Sequence, residues 1–138
     1  MTRPTTSLRL ALAACALAAS SLAQAAFPER PIKIVVGFPA GGPLDQHARL
    51  LSDKLQAVLG QPVVIDYKAG AGGTVGAQEV MKATPDGHTL MLANTGVMVI
   101  NPALYGKLPY ATLKDFTPVA RTAMQPLALL VNPGVPAQ

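Results

Sequence analysis

The chain has 138 residues, half of them hydrophobic, with 11 Lys and Arg against 7 Asp and Glu, a single Cys and no Trp. That length supports one modest core and not a two-lobed architecture. No apolar run reaches the roughly 18 to 20 residues of a membrane-spanning helix, and the basic residues are scattered with few aromatics among them, so neither a span nor a nucleic-acid surface is expected.

Residues 1–26 read as a leader. MTRPTTSLR carries Arg3 and Arg9 and no acid, LALAACALAAS is apolar but short, and Ala23-Gln24-Ala25 fits a small-x-small cleavage site. This pattern predicts a secretory signal peptide cut after Ala25 or Ala26; the alternative is a buried core helix. Leu12-Ala13-Ala14-Cys15 also resembles the box cut before a lipid-bearing cysteine, but only about five apolar residues would precede that cut, fewer than the usual seven or more. Cleavage at the first site removes the single Cys and leaves a domain without disulfide or thiol chemistry. It also removes Arg3 and Arg9, so nine basic residues face seven acids and the formal charge falls to +2.

Beyond the leader, Ile32 to Val36 is a β-branched apolar run, as expected for a strand covered on both faces of a parallel sheet. GFPAGGPLD follows as a flexible turn. Leu44, Ala48, Leu51, Leu55 and Val58 then recur at helical spacing, and Gly60 with Pro62 supplies the stop. Val63 to Asp66 predicts a second strand, KAGAGG a second glycine-rich turn, and Thr74 to Ala83 a second helix buried through Val75, Val80 and Met81. Pro85-Asp86-Gly87 is a turn. Leu90 to Ala93 predicts a third strand and Asn94-Thr95-Gly96 a third polar turn. LPYATLKDFTP reads as irregular, VARTAM and LALLV as apolar runs of strand type, and NPGVPAQ as a linker.

Strand, helix, strand, helix, strand with short connections predicts an α/β fold, a mostly parallel sheet with helices on both faces. Its strand-to-helix turns then share the carboxyl edge of the sheet, where ligands bind in open α/β folds.

The residues give little to an enzyme. His47 and His88 are the only histidines and have no Cys or carboxylate at metal-site spacing; a solvated helix face for His47 and a surface or interface position for His88 are expected. No nucleophile elbow or P-loop is present, and no cofactor or metal is called for. Gly70, Gly72 and Gly76 come near the dinucleotide fingerprint, but Val75 takes the place of its last glycine and the acid about twenty residues on is absent. The GFPAGGPLD turn leaves two readings open. It reverses the chain, or it offers the N–H groups of Gly41 and Gly42 to an anion at the positive end of the following helix, with Pro43 setting the first helical φ. Asp45 in the first turn can also bond a backbone N–H.

FPERPIKIVVGFPAGGPLDQHARLL, GQPVVIDYKAGAGGTVGAQEV, PDGHTLMLANTG and INPALYGKLPYATLKDFTPVA resemble, in order and spacing, the start of the Bug family, the extracytoplasmic solute receptors of tripartite tricarboxylate transport systems. The resemblance runs from Phe27 to the end of the chain. It implies a partial periplasmic-binding-protein lobe from a two-lobed receptor that closes on a small carboxylated solute. It also implies ligand contact by Phe38, Pro39, Ala40, Gly41, Gly42 and Asp45 in the first turn and by Asn94, Thr95 and Gly96 in the third, mainly through backbone N–H groups. The Gly70–Gly73 turn is then structural. Departures are Pro43 for a usual Gly or Ser, Tyr67-Lys68-Ala69 for Asn-Arg-Pro, and His88 for Tyr.

The expected organisation is a signal peptide over 1–26, the first part of lobe 1 over 27–120, and the start of a crossover to an absent lobe 2 over 121–138. The expected function is a non-enzymatic, periplasmic receptor component that works with membrane transporter subunits and binds a small carboxylate, with no nucleic-acid partner. An NAD(P)-dependent enzyme fragment using Gly70 to Gly76 and a non-functional truncated remnant are the alternatives.

Overall fold

The computed structural model describes residues 27–124, 128 and 130–135. The leader reading of residues 1–26, with Cys15 and both cleavage boxes, lies outside the described residues, as does part of the LALLV run.

Strands β1 (Ile32–Val36), β2 (Val63–Tyr67) and β3 (Thr89–Leu92) form a three-stranded parallel sheet in the order β2-β1-β3. The register aligns Ile34 with Ile65 and Leu90, and Val36 with Tyr67 and Leu92. Because β1 is central and covered on both faces, Ile34, Val35 and Val36 are all buried. A continuous apolar run, not an alternating one, meets that demand. Each such side chain contributes about 1.5 to 3 kcal/mol by leaving water.

Helix α1 (Pro43–Leu59) covers one face, where Leu44, Ala48, Leu51 and Leu55 pack on Ile34, Val36 and Leu92. Its end has the form the sequence predicts: Gly60 adopts φ 67° and donates its N–H to the Gln56 carbonyl at 3.0 Å. The stripe, however, does not pass through Val58, which is 82% exposed; Leu59, four residues after Leu55, is the partly buried one in the last turn.

Helix α2 (Thr74–Met81) covers the other face. Lys33, one residue out of phase with Ile34, reaches Glu79 of this helix at 3.5 Å, and Ala77, Met81 and Met91 share a second cluster with Val97 and Tyr110. The buried residues of α2 are Gly76 and Ala77; of the expected Val75, Val80 and Met81, Met81 packs on the core cluster, Val80 is partly buried and Val75 is exposed. The reason is distance. A Cβ on Gly76 would sit 2.8 Å from the Gly37 Cα, so the helix approaches β1 too closely for larger side chains.

After β3, a wide π-type turn over Gly96–Ile100 runs into α3 (Asn101–Leu104), and α4 (Thr112–Asp115) follows inside the stretch read as irregular. Residues 119–124 carry no strand and are exposed. A strand needs a neighbour for its backbone groups, and no strand among the described residues runs beside this segment. His88 is also not at the surface. It is buried, edge-on to the Phe27 ring at 4.9 Å, and its Nδ1 lies 3.3 Å from an Asp86 oxygen.

Candidate functional site

Since β1 and β3 are adjacent and parallel, their carboxyl ends deliver two turns to one edge of the sheet. Between those turns lies a cavity of about 480 Å³, walled by Phe38, Pro39, Ala40, Gly42, Pro43, Leu44 and Asn94. No charged side chain is in that wall. Of the residues singled out from sequence, Phe38, Pro39, Ala40, Gly42 and Asn94 line it, whereas Gly41, Asp45, Thr95 and Gly96 do not. Pro43 and Leu44 line it without having been singled out.

The backbone donors divide within the turn. The Gly41 N–H donates to Asp45 Oδ2 at 2.7 Å, so the expectation that both glycine amides are free fails at Gly41. Gly42 is the N-cap of α1 and has no side chain with which to cap it. Among the described residues no hydrogen bond takes the N–H of Gly42 or of Leu44. Both residues are in the cavity wall, at the positive end of a 17-residue helix.

Asn94 supplies the opposite side. Its Oδ1 accepts the Val97 N–H at 3.1 Å, which commits the oxygen to capping the following turn and leaves the amide nitrogen as the free donor. Gly96 makes this possible, because a Cβ there would come within 3.1 Å of that oxygen. Thr95 is exposed and points to no role in the cavity wall.

Asp45 is held from three sides. Tyr67 Oη donates to its Oδ1 at 2.5 Å, Arg49 Nε donates to the same oxygen at 2.8 Å, and Gly41 takes the other oxygen. Arg49 also donates to Tyr67 Oη at 3.1 Å. The Tyr67 hydroxyl, then the Gly41 N–H, hold the Asp45 carboxyl below the ordinary carboxylate range; burial opposes them and Arg49 adds to them. Correspondingly, the bond to Asp45 and then burial push the Tyr67 hydroxyl up. Sequence reasoning passed over Tyr67 and Arg49. The signal lay in the one-turn spacing of Asp45 and Arg49 and in Tyr67 ending the strand that α1 packs on.

The second glycine turn is packed at its last residue, Gly73, which is buried. A Cβ on Gly73 would meet Val97 Cγ2 at 2.5 Å, and one on Gly37 would meet the Gly73 Cα at 2.8 Å. The Gly73 N–H donates to the Gly70 carbonyl, and Asn101 Nδ2 donates to the Gly72 carbonyl at 3.0 Å. Gly73 and Gly72 are thus used for contact with other parts of the fold, whereas Gly70 to Gly72 stay exposed.

Residues 47–138 match the family described as Tripartite tricarboxylate transporter family receptor. Protein BugT of Bordetella pertussis is 42% identical over 108 residues, which cover 78% of this chain and 33% of that protein. Among solved structures, MatC from Rhodopseudomonas palustris with bound malate superposes with a TM-score of 0.65 at 47% identity, covering 67% of this chain and 32% of that one. The periplasmic binding protein BugD superposes with a TM-score of 0.62 at 42% identity, covering 65% and 30%. The chain therefore spans about a third of the length of the relatives it matches. On the family match over residues 47–138 and the identity to these relatives, the chain belongs to the tripartite tricarboxylate transporter receptor family, the Bug receptors.

Proposed function

We propose that the chain is the amino-terminal portion of a non-enzymatic receptor that is exported to the periplasm by the leader at residues 1–26 and presents half of a binding site for a small carboxylated solute. The observation that carries the reading is the uncharged cavity at the carboxyl edge, into whose wall Gly42 and Leu44 bring unused N–H groups and Asn94 a free amide donor. A carboxylate oxygen suits backbone donors at a helix N-terminus, where the dipole adds to the hydrogen bonds. Phe38, Pro39, Ala40 and Pro43 exclude water from the solute's carbon skeleton. Malate in MatC, a small dicarboxylate, is of the class this wall suits. In the whole receptor, a second lobe closes over the solute and membrane transporter subunits receive it.

Half a site leaves the solute open to water on one side, so affinity is weak and specificity incomplete. Titration of the full chain with malate, followed by ligand-observed NMR, tests this. Weak, saturable binding is expected, and Gly42→Val, whose branches project into the cavity from a position with nothing nearer than the Pro39 carbonyl at 3.9 Å, abolishes it. Binding that survives Gly42→Val, or micromolar binding by this chain alone, contradicts the proposal.

A further inference from the structure

The carboxylate of Asp45 is an awkward neighbour for an anion site. It lies on the turn whose flanking residues wall the cavity, and like charge would repel an incoming carboxylate. The structure answers this with two side chains outside the wall. Arg49 sits one helical turn along α1 and places its guanidinium on Asp45 Oδ1; Tyr67, at the end of β2, donates to that same oxygen. The other oxygen is thereby left to Gly41, whose φ of 90° only a glycine adopts readily.

We propose that Tyr67 and Arg49 are positioning residues of the solute site: they fix and neutralise Asp45, which pins the Gly41 N–H and so turns the next peptide to leave the Gly42 N–H facing the cavity. The inference rests on the carboxylate-site reading above. It goes beyond it by assigning the site's geometry and charge balance to residues that touch no solute. Tyr67→Phe keeps the ring against the core cluster of Ile34, Val36, Ala48 and Leu92 and removes only the donor. Arg49→Gln keeps much of the stem and removes the charge, and since Arg49 is 62% exposed it puts little packing at risk.

Amide NMR of isotopically labelled full chain separates this from a purely structural role. In the wild type, the Gly41 amide proton is expected far downfield at neutral pH and moves upfield only as Asp45 takes up a proton, below the ordinary carboxylate range. In Tyr67→Phe that midpoint rises, and malate binding falls about three- to tenfold. In Arg49→Gln the midpoint rises less, but malate binding weakens in the same range because Asp45 is no longer neutralised. Melting temperature and far-ultraviolet circular dichroism serve as fold controls. Should Tyr67→Phe fail to fold, Arg49→Gln and the wild-type titration still decide the matter. A Gly41 amide insensitive to the titration of Asp45, or variants with unchanged midpoint and malate affinity, overturns the inference. A wild type that shows the Gly41 titration but no malate response at any residue sinks the carboxylate-site reading and with it the functional part of this one, while the positioning of Gly41 stands.

Discussion

The turns after β1 and after β2 look alike in sequence, GFPAGG and KAGAGG, and the fold uses them in opposite ways. In the first, a Cβ on Gly41 would meet nothing within 4 Å and one on Gly42 only the Pro39 carbonyl, so the backbone faces open space. In the second, Gly73 lies against Val97, the Phe38 ring and the backbone of Gly37, where the first turn begins. Glycine content therefore marks close approach but does not say by what. A ligand turn leaves its vacancy outside the protein, and a packing turn fills it with the protein itself.

Substitutions can break that contrast. The largest effect is expected from Gly73→Ala, which combines a φ of 89° with a contact of 2.5 Å and should destabilise by about 3 kcal/mol in urea unfolding. Gly41→Ala meets no neighbour and carries only the strain of its φ of 90°, so about 1 to 2 kcal/mol is expected in the same measurement. If the two were equal, the difference between the turns would be one of backbone conformation and not of packing.

Acid sharpens the comparison further. The carboxyls of Asp45 and Asp86 are both held below their ordinary range, Asp45 first by the Tyr67 hydroxyl and Asp86 first by the His88 backbone N–H. A depressed carboxyl contributes stability that is present above its unfolded value and lost as pH falls through its folded one. Unfolding monitored against pH should thus show stability declining from the ordinary aspartate range downward, with the decline reduced in Tyr67→Phe. The smallest effect on stability is expected from Gly42→Ser. Its hydroxyl caps α1 by accepting the Leu44 N–H and gains about 0.3 kcal/mol, yet this occupies one of the two backbone donors proposed for the solute, so malate binding should weaken while the melting temperature holds or rises.

Much of this fold could be read from residues alone because local rules and tertiary need coincide. The apolar run at Ile32 to Val36, the stripe from Leu44 to Leu55 and the Gly60 stop each state their role in a short window. The readings that failed depended on distance across the fold. Val75 looks like a core residue until α2 is brought close enough to β1 that only Gly76 and Ala77 fit between. His88 looks like a surface residue until Phe27 folds over it. In the site, the turn itself was legible, as was the option of Asp45 bonding a backbone N–H. That Gly41 would be the partner, and that Tyr67 and Arg49 would close around Asp45, required the β2 register and the placement of α1 on that strand.

The most direct test follows both turns at once in a single titration of the labelled full chain with malate. The account requires the amide signals of Gly42 and Leu44 and the side-chain amide of Asn94 to shift together and saturably, while those of Gly70 to Gly73 stay fixed. Movement confined to Gly70 to Gly73, or a malate response that leaves Gly42 and Leu44 unmoved, would contradict it.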